Sequence, residues 1–287
     1  MAERTGGGSR ESGTNQSVER SAAVLAAFLD GGVGGRAELR VADVARTVGL
    51  GVSTTSRLLA TLESVEFVQR DPVSQLYRLG PALITLGGAA INQDPVYREA
   101  RPIAQQLAAR HGFGVNVAVC RGDKVFYLLN VEGPAAGKSY TLMGQSNPLH
   151  ATGMGKCLLL DLTAAERREL LPEAQLRGFT PKTLTTHAAL DDELAVVRQR
   201  SYATELEELA PGRACVAAAI YGRDSQIVAA ISVSGPLSVL DLAAREAELA
   251  QLVIESADRI SVGLGYLGPH AAPPRTAEST GQKRRST

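Results

Sequence analysis

VADVARTVGLGVSTTSRLLATLESVEFVQRD, residues 41–71, is the stretch whose reading decides the N-terminal fold. Val41, Val44, Ala45 and Val48 fall at i, i+3, i+4 and i+7, one face of a helix. Gly49-Leu50-Gly51 breaks that helix, because glycine adopts positive φ at little steric cost. A second helix follows with Leu58, Leu59 and Leu62 on its buried side. Its early residues, Ser53 to Arg57, are all hydrogen-bonding types. This is the layout of a helix-turn-helix, whose second helix carries polar side chains into the major groove. An ordinary helical hairpin shares the same periodicity, so the flanking chain has to decide.

Downstream, Phe67–Arg70 and Gln75–Leu79 flank a turn at Asp71-Pro72-Val73-Ser74 and read as a β-hairpin. A hairpin directly after a recognition helix is a wing, with Arg70, Gln75 and Arg78 in reach of backbone phosphates. Upstream, residues 17–30 read as a helix with Val18, Val24, Leu25 and Phe28 as candidate core, ended by paired glycines. Charge gives this region no general nucleic-acid signature: residues 17–80 hold seven arginines against seven acids. DNA binding there requires the arginines to be sorted onto one face.

Whole-chain composition limits the remaining choices. The 287 residues suffice for two domains, and 44% hydrophobic content suffices for packed cores. No apolar run reaches the roughly 18 residues of a membrane span, and the N-terminus has no signal-peptide h-region, so a cytoplasmic protein without a membrane partner is expected. Cys120, Cys157 and Cys215 form no CxxC pair, which argues against a disulfide framework or zinc site. No metal and no cofactor is expected. Lys+Arg and Asp+Glu are equal at 30 each, so any DNA contact must be local.

Residues 1–16 and 269–287 are Gly/Ser/Thr-rich and Pro/Thr/Lys/Arg-rich and are expected to be disordered tails. Residues 81–93 form a linker-helix candidate carrying Leu83, Ile84, Leu86, Gly87 and Ile91, followed by a helix over 96–111. From Gly112 the pattern becomes mixed. Two strands flank Arg121-Gly122-Asp123-Lys124, and residues 139–144 suggest a further strand. A Gly-punctuated loop at 150–156 leads into a helix, and two strands flank Pro211-Gly212. A buried strand over 227–236 and a closing amphipathic helix complete an α+β domain.

Several blocks in order, namely SVERSAAVL, LLATLESVEFVQRD to YRLG, LHATGMGK, FTPKTLT, PGRACVAAAI and AAISVSGP, resemble the IclR family of bacterial transcription regulators. The resemblance covers nearly all of residues 17–265. It implies a winged helix-turn-helix DNA-binding domain over 17–80, a linker helix over 81–98 and a GAF-like effector-binding domain over 99–268. It also implies homodimers or dimers of dimers on palindromic double-stranded operators, with repression the expected mode. The chain departs from the family pattern with Val52 and Ser56 at places where basic or ring side chains often stand, leaving Arg57 as the helix's cation.

Ser53, Thr54, Thr55 and Arg57 match the family's DNA-reading segment, and Arg70 and Arg78 are wing candidates for phosphate. Ser53 as a plain helix cap and Thr55 as a core residue are the structural alternatives. The resemblance places Gly153, Met154, Glu205, Cys215, Ser232 and Ser234 in an effector pocket for a small carboxylate or aromatic metabolite. Ser232 and Ser234 alternate on one strand and share a face. Gly153 and Gly155 offer N–H groups to an anion, His150 reads as a structural histidine, and Lys156 as a surface lysine. Two other functions compete: a cysteine-dependent enzyme pairing Cys215 with His150, and a ligand-binding module whose winged helix makes only protein contacts.

Overall fold

A computed structural model describes residues 15–29, 38–135 and 143–268, which divide into two compact units at residues 91/92. The suggested strand over 139–144 falls mostly outside the described residues; Met143 and Gly144 form a turn.

In the first unit, α1 (Gln16–Ala26) starts at an Asn15 cap whose side chain accepts from the Ser17 N–H. α2 (Val41–Val48) ends at Gly49 in the left-handed region, φ 67°, and α3 (Val52–Ser64) begins after Gly51, φ −65°. Only one of the two turn glycines therefore uses the conformation that favours glycine. Ser53 lies inside α3, so it is not the cap; Gly51 is, with no side-chain capping bond.

The wing is β1 (Val68–Arg70) paired antiparallel with β2 (Tyr77–Leu79). Asp71 shapes its turn: one carboxylate oxygen accepts from the Val73 and Ser74 N–H groups, which with nearby Arg78 holds this carboxyl below its ordinary range. Leu39 bridges Tyr77 through two backbone bonds of 2.8 Å, tying the wing to the chain before α2. Val24, Phe28, Val44, Leu59, Leu62, Val68 and Tyr77 form one core. Val18, expected in it, is 64% exposed. Gly80 closes the wing: a Cβ there would lie 2.1 Å from the Glu66 carbonyl oxygen. α4 (Pro81–Gln93) follows and buries no residue of its own.

In the second unit, α5 (Pro95–His111) is capped by Asp94, whose side chain accepts from the Tyr97 N–H. β3 (Gly114–Arg121) and β4 (Lys124–Val131) form the expected hairpin, and β5 (Ser146–Pro148) adds a short edge strand. α6 (Gly153–Leu158), α7 (Ala164–Leu170) and α8 (His187–Arg200) follow. β6 (Ala203–Leu206), β7 (Arg213–Tyr221) and β8 (Ile227–Pro236) come next, then α9 (Leu237–Leu240) and α10 (Leu242–Gly263). All six strands are antiparallel in the order β5-β4-β3-β8-β7-β6, so the first long strand and the last lie side by side at the centre.

Alternation along these strands gives the sheet two faces. One carries Val115, Val117, Val216, Ile231 and Val233 on the side where α5 and α10 pack. The other carries Ala118, Ala217, Ala219 and Ala230, which cluster with Met154 and Cys157 of α6 and with Leu190, Leu194 and Val197 of α8. Small residues on this second face let α6 approach closely, and polar groups are set among them.

Candidate functional sites

On the first unit, one face of α3 presents Val52, Ser53, Ser56 and Arg57 to solvent, with Thr54 half-buried. Thr55 is fully buried, and its hydroxyl donates to the Gly51 carbonyl at 3.1 Å. Thr55 therefore leaves the set of DNA-reading candidates: its hydroxyl is spent inside the helix and its methyl is in the core. Ser56 joins the exposed set, three residues after Ser53 on the same face.

The two wing arginines separate. In the β1–β2 register Arg70 is opposite Tyr77 and Arg78 is opposite Gln69, so they occupy opposite faces of the hairpin. The Arg70 guanidinium lies 5.4 Å from the centroid of the Tyr77 ring. Arg78 is exposed beside Gln69, and together with Arg70, Glu63 and Glu66 it lines a groove of about 370 Å3. The two wing arginines are thus both exposed and leave the hairpin from opposite faces.

On the second unit, the register brings the sequence-predicted effector residues together. Cys215 pairs with Glu205 on one side and Ser234 on the other; Ala217, next on that face, pairs with Ser232, which pairs with Asn116. Gly153 packs directly on this face, where an added Cβ would lie 2.9 Å from the Cys215 Sγ and 3.3 Å from Ala217 Cβ. Glu205, Cys215, Ser232 and Met154 are all buried, and Ser234 is half-buried.

The glycines of the 150–156 stretch do not form an anion-binding loop. They sit inside α6, whose Thr152 cap accepts from the Gly155 N–H at 3.1 Å, while Gly153 packs against the Cys215 sulfur. A Cβ at Gly155 would lie 2.0 Å from the Leu149 carbonyl oxygen, so close packing is the reason for that glycine.

Lys156, expected on the surface, is 2% exposed. Its ammonium donates to Glu208 at 2.6 Å, to the Thr204 carbonyl at 3.0 Å and to Glu193 at 3.3 Å. Nothing in the local pattern GMGKCLLL signalled this, because its partners lie 37 to 52 residues away.

Sequence reasoning also missed Asn116, Asn130 and Tyr127. Asn116 donates to Ser234 Oγ at 2.9 Å and accepts from Asn130 at 2.7 Å. Tyr127 Oη accepts from Asn147 at 3.1 Å. Burial pushes its phenol up to about 12, so the hydroxyl keeps its proton. The available signal was Asn116 itself, a lone amide on the inward alternation of VNVAV.

Glu205 is the acid of the site. Its Oε1 accepts from the backbone N–H of Glu208 at 2.6 Å and of Leu209 at 3.2 Å. Burial dominates those bonds and pushes the carboxyl up to about 7. Ser232 Oγ is buried without a hydrogen-bond partner among the described residues.

A cysteine–histidine catalytic pair receives no support. Burial pushes the Cys215 thiol strongly up, away from the thiolate a nucleophile needs. His150 Nε2 lies 3.0 Å from the Arg177 carbonyl, and its ring packs 5.9 Å from Phe179. Among the described residues no cluster of three or more His, Cys, Asp or Glu is arranged to hold a metal ion, and no helix is long and apolar enough to cross a membrane.

A winged helix-turn-helix on one unit and a separate α+β domain on the other are the layout of a DNA-binding transcription regulator. The IclR helix-turn-helix domain matches residues 17–72, and the bacterial transcriptional regulator IclR C-terminal domain matches residues 88–262. The chain belongs to the IclR family of bacterial transcriptional regulators.

It is 32% identical to the HTH-type transcriptional regulator XynR of Escherichia coli K12 over 88% of this chain and 98% of that one. It is 34% identical to the HTH-type transcriptional repressor AllR of Salmonella typhimurium over 89% of this chain and 92% of that one. Its fold matches an IclR homolog from Microbacterium hydrocarbonoxydans, crystallised with 4-hydroxybenzoate, at a TM-score of 0.75 and 22% identity, covering 87% of this chain and 99% of that one.

Proposed function

We propose that this regulator is a cytoplasmic repressor that binds a palindromic operator as a homodimer or a dimer of dimers and changes operator affinity when a small molecule occupies the polar face of its sheet. In this reading residues 17–80 contact DNA, 81–98 connect, and 99–268 sense the effector. Ser53, Thr54, Ser56 and Arg57 read the major groove, and Val52 meets a thymine methyl. Arg70 and Arg78 hold phosphates from the two sides of the wing. Pairing between copies is supported by α4, where Ile84 is 79% exposed and Leu86 54% exposed on a helix that buries nothing within the chain.

The observation that carries the effector site is the convergence of Glu205, Cys215, Ser232 and Ser234 against Gly153 and Met154, with the Ser232 hydroxyl buried and unpaired. A buried polar group without a partner is costly, and a ligand that supplies one recovers that cost. An aromatic or small carboxylate fits the reading, as in the neighbour that holds 4-hydroxybenzoate. For such a ligand to act, its affinity must differ between two arrangements of the regulator.

The test is operator binding of the full chain with and without effector. Ser232→Ala is expected to weaken the effector response and leave effector-free operator binding intact. Loss of operator binding in that variant would assign Ser232 to structure alone.

A further inference from the structure

β7 has nine residues and its neighbour β6 four. The two pair only from Ala203↔Ala217 to Leu206↔Ala214, so the outer edge of β7 from Ala218 to Tyr221 carries no strand. One group on that edge is met by α10, where the Ser261 hydroxyl accepts from the Tyr221 N–H at 2.9 Å. Beside the edge lies a cavity of about 380 Å3. Small-molecule sites occupy about 300–1,000 Å3. This cavity shares no lining residue with the polar sheet face around Glu205 and Ser232.

Ala218 and Ala219 of β7 and Ile254 and Ala257 of α10 give the cavity apolar walls. Tyr221 and Tyr266, both half-buried, also line it, with their rings stacked 5.1 Å apart and inclined by 22°. Two exposed carboxylates, Asp161 and Asp258, complete the rim. Among the described residues Asp258 makes no ion pair and no side-chain hydrogen bond, and Asp161 accepts from the Ile227 N–H alone. The cation of the lining is Arg198, exposed, whose Nη2 donates to the Leu160 carbonyl at 2.6 Å. It pairs with neither aspartate among the described residues. The Tyr221 phenol is pushed up by burial first, then by Asp161, Tyr266, Cys157 and Asp258, and none of these causes is a cation. Negative charge therefore prevails at the rings.

We propose that this cavity binds a small organic ammonium, its apolar body against the alanines and Ile254 and its charge between the stacked tyrosines and the two aspartates. A carboxylate meets two like charges against one guanidinium. A neutral apolar molecule fills the walls and leaves the aspartates unmatched. An ammonium uses the π faces and the rim together. The site is separate from the proposed effector face and does not depend on that reading.

The experiment is calorimetric titration of the full-length protein, at neutral pH, with 2-phenylethylamine and 3-methylbutylamine, each beside the alcohol of the same skeleton. At least one amine is expected to bind about tenfold more tightly than its alcohol, the combined worth of a cation–π contact and solvent-exposed carboxylates. Asp161→Asn with Asp258→Asn should lower that ratio to about threefold, the share of the rings. Adding Tyr266→Leu should bring it close to unity. Asp192→Asn, which removes an exposed acid of α8 outside the cavity, should leave the ratio at the parent value.

The alcohols need no charge, so their binding reports whether the cavity survives each substitution. If the double variant loses the alcohol, Asp258→Asn alone decides, since that side chain has no bond to lose among the described residues. The absence of binding by both amines overturns the proposal, as does an amine-to-alcohol ratio unchanged by the aspartate substitutions. An equal fall in Asp192→Asn overturns it too, because the preference would then belong to the surface charge as a whole.

Discussion

The two candidate sites of this chain are built in opposite ways. The candidate DNA-reading surface comes from one contiguous stretch, residues 52–78, and its groups are mostly exposed with few partners. The candidate effector face draws on β3, β6, β7, β8 and α6, from Asn116 to Ser234, and most of its groups are buried. An exposed site can lose a side chain and keep its fold, because water takes the lost partner's place. A buried polar site cannot, because each removed group leaves another unsatisfied. Mutations should therefore separate function from stability in the first unit and entangle them in the second.

The largest effects should come from two glycines where a methyl group meets backbone. Gly155→Ala puts a Cβ 2.0 Å from the Leu149 carbonyl oxygen, and Gly80→Ala puts one 2.1 Å from that of Glu66. Backbone cannot swing aside like a flexible side chain, so each change should cost about 3 kcal/mol, at the upper end for overpacking. Calorimetric unfolding should show the loss in the effector unit for Gly155→Ala and in the winged unit for Gly80→Ala. A variant as stable as the parent would show that the helix or wing shifts freely.

Next is Lys156→Met, which strands the buried Glu208 carboxylate. Removing one partner of a buried pair costs about 3 kcal/mol or more, while removing both can be nearly neutral. Lys156→Met should therefore lower the chemical-denaturation midpoint sharply, and the double variant with Glu208→Leu should recover much of it. Additive losses would mean that Glu193, a quarter exposed, carries the interaction instead.

These lesions show why so much of the winged unit was legible in the sequence and less of the sheet domain. Val44, Leu59 and Leu62 follow helical spacing, Gly49 marks its turn, and Asp71-Pro72 marks the wing, all within local reach. What failed there was direction. Val18 fits the periodicity but points outward, and Thr55 carries a DNA-reading residue type but points inward. In the sheet domain the long strands and closing helix were legible from alternation and amphipathicity, with β8 matching its expected span of 227–236, while the short edge strand β5 was not. The burial of Lys156 was not, because its partners lie 37 to 52 residues away, and the pairing of Asn116 with Ser232 was not, because it depends on β3 meeting β8 across more than a hundred residues. The glycines at 153 and 155 read as a loop because glycine normally ends helices. Here they stay in one, since only a side chain without Cβ lets α6 lie this close to β7 and Leu149.

Within the winged unit, Arg57 and Thr55 offer the cleanest contrast. Arg57→Ala should weaken specific operator binding by about 2 kcal/mol, the worth of one bidentate base contact, without moving the unfolding temperature. Thr55→Val should do the reverse, changing stability through its lost bond to Gly51 while operator affinity holds. Salt-titrated binding isotherms beside thermal melts measure both. Equal loss of affinity in the two variants would break the division between an outward and an inward residue on α3.

The smallest effect tests whether the buried site senses pH. Glu205 faces Glu208 from the chain after β6, Lys156 from α6, Cys215 from β7 and Tyr127 from β4. Its carboxyl is raised in the folded protein from 4.5 to about 7, so folding favours the protonated form. The linkage has a definite sign: no penalty exists below 4.5, it grows as pH rises towards 7, and it is complete above. Glu205→Gln keeps an acceptor for the Glu208 and Leu209 N–H groups and removes the titration. The variant should therefore match the parent near pH 4.5 and exceed its stability by about 1 kcal/mol at pH 8, after discounting for protein relaxation. Parallel stability curves across that range would place the Glu205 charge in contact with a cation or with water, and would remove the desolvated acid from the site.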